Sequence, residues 1–322
     1  MIVVMPVARD REAAGAPEVS LVMPVWKPEP AWFREAVGSA LGQRGCSLEF
    51  IVVDDGNSVP VSQLLADVAD PRLVIVRIAH GGVSRALNAG IGHARGEWIR
   101  FVGADDVLEP DSTARLVRLS GPERAIAYGS TLVCDTGLQP QRMIESAVQG
   151  EALLECLLGR FDVRIVSMLF PREVVAAAGP FDPAFEVNGD YDFVLRALEH
   201  APVRGEQFVA MRYRRHGGSI TAGPHAGKKR DLQALEKLLD RRPDLRGTRP
   251  ERVARAAAHL NAARQLLLVG RRGAALREVA AALRVDPRRS LPAAIALAAS
   301  AARRVPSKVT GPLRRRRAQP PP

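Results

Sequence analysis

The stretch RFVGADDVLEP (Arg100–Pro110) ends an apolar run on two adjacent carboxylates. With the two residues before it, WIRFV reads as a strand of a buried sheet. The Gly-Ala step of Gly103 and Ala104 closes the strand, and Asp105 and Asp106 follow. Like charges side by side repel, and burying either without a partner is costly. A turn or a helix cap is the plain explanation of one such pair, since Asp favours both.

Upstream, the same pattern recurs. EFIVVDDG (residues 49–56) is another apolar strand ending in acids, Asp54 and Asp55. SLVMPV (20–25) and LVIVRI (73–78) read as further strands. AWFREAVGSALGQ, VSQLLADVA and VSRALNAGIGHA carry helical spacing between them. Strands alternating with helices, each strand apolar throughout, predict an α/β fold with a mostly parallel sheet covered on both faces. Downstream of Asp106, AIAYGSTLV, SMLFPREVV and FVAMRYRRH read as separate short strands with less regular pairing.

In a parallel α/β sheet, ligands bind in the crevice beyond the carboxyl ends of the strands. Both acid pairs fall there. Two acid pairs in one crevice repel unless a cation sits among them, and Mg²⁺ usually binds through one or two carboxylates plus substrate phosphates. The acids are therefore read as holding a divalent metal, Mn²⁺ or Mg²⁺, that holds a diphosphate. VNGDYDFVLRALEH adds Asp190 and Asp192 at the start of an amphipathic helix, as N-terminal caps or as a carboxylate base. His216, in YRRHGGSIT, reads as a metal or phosphate ligand, or as a turn histidine.

The 322 residues suffice for one large domain with an appendage, or for two domains. Charge divides them. Residues 1–227 carry a net −6 and residues 228–322 a net +17. The expected division is therefore an α/β domain over 1–227 and a basic helical appendage over 228–322. In the appendage, HLNAARQLLLVGRRGAALREVAAALRVDP reads as two helices joined at Gly270–Gly273, a single tetratricopeptide-like hairpin. An apolar helix, SLPAAIALAASAARRV, follows, and LRRRRAQPPP reads as a disordered tail. Such a basic end suits an anionic surface, and a membrane surface is expected rather than nucleic acid. Three scattered cysteines offer no disulfide framework and suit a reducing compartment. No apolar segment is long enough to span a bilayer, and the first residues lack the pattern of an export signal. The expected location is the cytoplasm, or the inner face of the cell membrane.

Taken together, SLVMPVWKP, AVGSALGQ, FIVVDDGNS, GGVSRALNAGIGHARGEWIRFVGADDVLEP, FDPAFEVNGDYDFVLRAL and YRRHGGSI resemble the inverting family 2 glycosyltransferases of GT-A fold. The resemblance runs from about Ser20 to Thr221. It implies a nucleotide-sugar donor, a saccharide or lipid-linked acceptor, and work on cell-envelope polysaccharide or glycolipid. It implies donor-binding residues at Pro24, Asp54, Asp55, Gly82, Arg85, Asn88 and Asp105, with Asp54 or Asp55 on the nucleoside. It implies metal ligands among Asp105, Asp106 and His216, and Asp190 as general base. Three positions depart from the family pattern. Gly103 stands where the first acid of Asp-x-Asp is common. His80 replaces the Asn common before the glycines. Leu87 replaces the Arg common before Asn88, with Arg85 two residues earlier. The rival expectations are a nucleotidyltransferase-type enzyme, against which the lack of a Gly-rich loop in VMPVWKPEP counts, and a non-catalytic GT-A-like binding protein.

Overall fold

The computed structural model of the chain describes residues 3–5, 16–162, 164–185, 189–218 and 230–303. The boundary at 227/228, the last residues of the YRRHGGSI motif and the basic tail lie outside the described residues.

Strand β1 (Val3–Met5) is followed by β2 (Val19–Val25), α1 (Pro30–Leu41), β3 (Leu48–Asp55), the single turn α2 (Val61–Leu64), β4 (Leu73–Ile78), α3 (Val83–His93) and β5 (Trp98–Phe101). VSQLLADVA, expected to be a full helix, closes after one turn, because the next few residues must return the chain to pair Leu73 with Phe50. Strands β4, β3, β2 and β5 lie side by side in that order, all parallel. Their apolar residues alternate between two cores. Val22, Ile51 and Val53 face one, with α3, and Leu21, Met23, Phe50 and Val52 face the other, with α1. Alternation places successive strand residues on opposite faces, so an all-apolar strand requires cover on both. Helix α3 approaches very closely. A Cβ on Gly90 would lie 2.4 Å from Val22 Cγ1.

The second half is mixed, as the shorter strands suggested. β6 (Val107–Leu108), α4 (Ser112–Ser120), β7 (Ile126–Cys134), β8 (Pro140–Ile144), α5 (Leu153–Leu157), β9 (Met168–Pro171), α6 (Arg172–Ala178), α7 (Gly189–Ala197) and β10 (Val203–Arg214) follow. β9 joins β5 and β7 antiparallel, β7 pairs β10 parallel, and β6 adds antiparallel to β10. Four phenylalanines, Phe101, Phe170, Phe181 and Phe193, fill the space under α7, with Phe181 and Phe193 stacked at 4.2 Å. Each such buried ring contributes about 1.5–3 kcal/mol.

One residue of the opening stretch departs from an apolar strand. Arg100 is fully buried, and its guanidinium donates to Ser112 Oγ, Thr113 Oγ1 and the Ala210 carbonyl. Burial pushes it down to about 9. It ties β5 to α4 and β10.

Helices α8 (Arg230–Arg241), α9 (Arg249–Leu268), α10 (Arg272–Val285) and α11 (Pro287–Arg303) complete the chain. The expected hairpin is α9–α10, turning at Gly270. Ala263, Leu266 and Ala275 form its small core, against which Leu297 of α11 packs. α8 sends Ala234, Leu235, Leu238 and Leu239 into the main core instead. Among the described residues, no helix is long and apolar enough to cross a membrane.

Candidate active site

The first strand of the parallel group, β2, has β3 on one side and β5 on the other, so the chain order reverses between β2 and β5. That switch point opens a crevice at the carboxyl ends. Pro24 sits beside it. The last β2–β5 pair is Val22 with Phe101, so the N–H that Pro24 lacks would have faced the gap rather than a ladder partner.

Asp54 and Asp55 end β3 facing inward, 1% and 2% exposed. Asp54 accepts from the Asn57 amides, from Val61 N at 3.0 Å and from Arg77 at 3.1 Å. Asp55 accepts from Gly81 N and Gly82 N at 2.8 and 3.0 Å and contacts His80 Nδ1 at 2.9 Å. Both carboxylates thus brace backbone, and Asp55 fixes the glycine turn that starts α3. Gly82 is the N-cap of that helix, and Arg85 stands exposed in its first turn. Asn88 is turned away. Its amide donates to the Phe181 carbonyl and accepts from Phe181 N, both at 2.8 Å, clasping α3 to the segment before α7.

At the end of β5 the two acids divide. Asp105 is partly open and lies 2.7 Å from His216 Nε2. Asp106 is buried and accepts from Arg214 N at 3.0 Å. Burial first, and the Asp105 charge second, push its carboxyl well above the usual range. Gly103 explains how it fits. A Cβ there would stand 2.3 Å from Asp106 Oδ2, so the Asp106 carboxylate fills the place of a side chain at 103.

Around this pair, residues far apart in the chain converge. The Arg214 guanidinium, 2% exposed, donates to the carbonyls of Asp105 and Thr136 and to Glu35. It also lies over the Trp32 ring, which is tilted against His216 at 4.7 Å. Trp26 stacks on His80 at 3.7 Å and 15°. Sequence reasoning missed Arg214, Trp32, Glu35 and Trp26. One signal was available. Two of the three tryptophans stand in PVWKPEPAW, just after the first strand.

Asp190, the second residue of α7, touches solvent, yet protein walls surround it. That loss of water pushes its carboxyl up, while Tyr191 N, which it accepts at 2.9 Å, and the Arg164 charge pull it down. A basic carboxylate at a crevice wall suits proton abstraction. Asp192 is buried and paired with Arg196 at 2.8 Å, so it is occupied as a brace.

Among the described residues, no three His, Cys, Asp or Glu side chains converge as a preformed metal cage. A partly open carboxylate beside an imidazole nitrogen is nevertheless a fitting partial donor set, because such an ion takes further ligands from phosphate and water.

Residues 20–167 match the model of glycosyl transferase family 2. The chain is 28% identical over 235 residues to the O-antigen biosynthesis protein RfbC of Myxococcus xanthus, covering 70% of this chain and 18% of that one. It is 36% identical over 120 residues to the succinoglycan biosynthesis protein ExoO of Rhizobium meliloti, covering 37% and 33%. It therefore spans a third or less of the length of these relatives. The fold is similar to that of S. aureus TarS 1-349 in complex with UDP-GlcNAc, with TM-score 0.58, 12% identity, and coverage of 85% of this chain and 82% of that one. The architecture is that of the GT-A glycosyltransferases. Residues 20–167 belong to glycosyl transferase family 2.

Proposed function

We propose that this domain is an inverting, divalent-metal-dependent glycosyltransferase. It moves a sugar from a nucleoside-diphosphate sugar to an acceptor hydroxyl, in the building of a cell-envelope polysaccharide or glycolipid. The observation that carries this reading is the Asp105–His216 pair at the mouth of the β2/β5 crevice. The relatives named for O-antigen and succinoglycan synthesis support the envelope assignment.

Asp105 and His216 would hold the metal, with Asp106 buried behind them. When bound, the ion neutralises the charge that develops on the departing diphosphate. Arg214 keeps the Asp105 backbone and the Trp32–His216 contact in register. Gly82 and the N–H groups at the start of α3 face the phosphates as a helix N-terminus does. Asp190 takes the proton of the acceptor hydroxyl. That oxygen bonds to the anomeric carbon as the bond from that carbon to the phosphate oxygen breaks, and the nucleoside diphosphate leaves with the electron pair. Attack opposite to departure inverts the anomeric centre and needs one base. We further propose that the basic helical end of the chain rests on an anionic membrane surface.

Calorimetric titration with UDP, in Mn²⁺ and in EDTA, tests the donor site. Metal should tighten UDP binding to the native protein at least about tenfold, a difference of about 1.4 kcal/mol, and Asp105→Asn should abolish that gain while keeping the fold. Equal metal-dependent affinity in both proteins would refute the assignment.

A further inference from the structure

A recess of about 260 Å³, counted to its open mouth, lies between β7, the residues after β8 and the segment 161–168. Two of its lining residues carry unmet hydrogen-bonding groups. Thr131 is 1% exposed, and its hydroxyl has no partner among the described residues. Arg164 has a buried Nε without a hydrogen bond, since Asp162 Oδ1 is 3.6 Å away. An unmet buried polar group costs about 1–3 kcal/mol, and native proteins hold few of them. Two in one recess point to a ligand that completes them. The aromatic wall points the same way. Tyr128 and Phe161 line the recess with ring centroids 5.0 Å apart at 64°, and apolar walls with a few converging polar groups mark small-molecule sites. Tyr128 is fixed there by its hydroxyl, which donates to the Val148 carbonyl at 2.6 Å. The recess also adjoins the catalytic region, because Arg164 is close enough to Asp190 for its charge to act on that carboxyl.

We propose that this recess is the acceptor subsite, taking a saccharide whose ring packs on Tyr128 and Phe161 and whose oxygens accept hydrogen bonds from Thr131 and Arg164. The proposal rests on Asp190 being the base, since it places the acceptor beside that residue. It names a saccharide as the group recognised on this side of the crevice, whatever carrier bears it.

Saturation-transfer NMR on the full chain tests it, with methyl β-D-glucopyranoside, methyl β-D-galactopyranoside and methyl α-L-rhamnopyranoside as probes and UDP titrated in parallel. At least one glycoside should receive saturation from the native protein. Thr131→Val and Arg164→Gln should each weaken that binding tenfold or more, with UDP affinity unchanged. Thr131→Val should also melt no lower than the native protein without ligand, because it replaces an unmet hydroxyl by a methyl of similar shape. Lack of transfer to all three glycosides overturns the proposal, as does undiminished binding in both variants. Lower stability of Thr131→Val with unchanged glycoside binding marks a structural water instead and also overturns it. If glycosides bind and UDP does not, the donor reading falls and the recess stands.

Discussion

Asp190 and Asp192 stand one turn apart in function as well as two residues apart in sequence. Asp192 is bound to Arg196 and buried, whereas Asp190 keeps a carboxyl raised by loss of water. A general base must be ionised to act, so turnover should be lost as pH falls through a value above the ordinary Asp range. Asp190→Asn keeps the size and the contact with Tyr191 N but accepts no proton. Its turnover should fall by about two to four orders of magnitude, with UDP affinity retained and the acidic limb of the kcat/KM profile gone. An unchanged acidic limb in the variant would move the role to another group. Asp54 teaches the converse. The sequence offered it as a ligand contact, and the structure fills its oxygens with Asn57, Val61 and Arg77.

At the scale of elements, the turn after β5 is the most constrained. Gly103 is empty because Asp106 occupies its side-chain space. Gly103→Asp should therefore destabilise the domain by about 1–3 kcal/mol from overpacking, with repulsion among three carboxylates added. Gly103→Asp combined with Asp106→Ala should recover most of the loss. Urea unfolding midpoints measure both, and a single variant as stable as the native chain would contradict this packing. The turn was legible because its signal is local, an apolar run broken by Gly and followed by acids. β2 to β5 were legible for the same reason, through runs such as LVIVRI, which is β4 to the residue. What supports the turn was not legible. Arg214 reaches Asp106 across 108 positions and Glu35 across 179, and nothing in YRRHGGSI announces a buried guanidinium. VSQLLADVA misled because its helical spacing was overruled by the short path back to β4. Asn88 sits in a family-like stretch, yet its amide serves Phe181, 93 residues away.

Over the whole molecule, charge and apolar surface gather at one end. Leu276, Leu291 and Ile295 are 69%, 54% and 62% exposed. Leu291 and Ile295 lie one turn apart on α11. Around them Arg271, Arg272, Arg277, Arg284 and Arg288 are exposed, while Glu278 is buried against His259. Aliphatic side chains among arginines suit the interface of an anionic bilayer, where each cation contributes roughly 1 kcal/mol. The full chain should float with anionic vesicles and be released by high salt, which screens exposed charges. Leu276→Asp with Ile295→Asp should remain at the bottom of the gradient. Identical flotation of the two proteins, or of neutral and anionic vesicles, would defeat the membrane reading. A different consequence follows from α8. Its Leu235, Leu238 and Leu239 are at most 1% exposed and share one core with the sheet, and Lys237 lies over Phe185 while its ammonium meets Asp182. A gene trimmed at the change of charge near residue 227 would yield a product with a greasy trench beside α7, prone to clump in the cell. The shortest fragment worth expressing for activity runs through Leu245, which closes that same core.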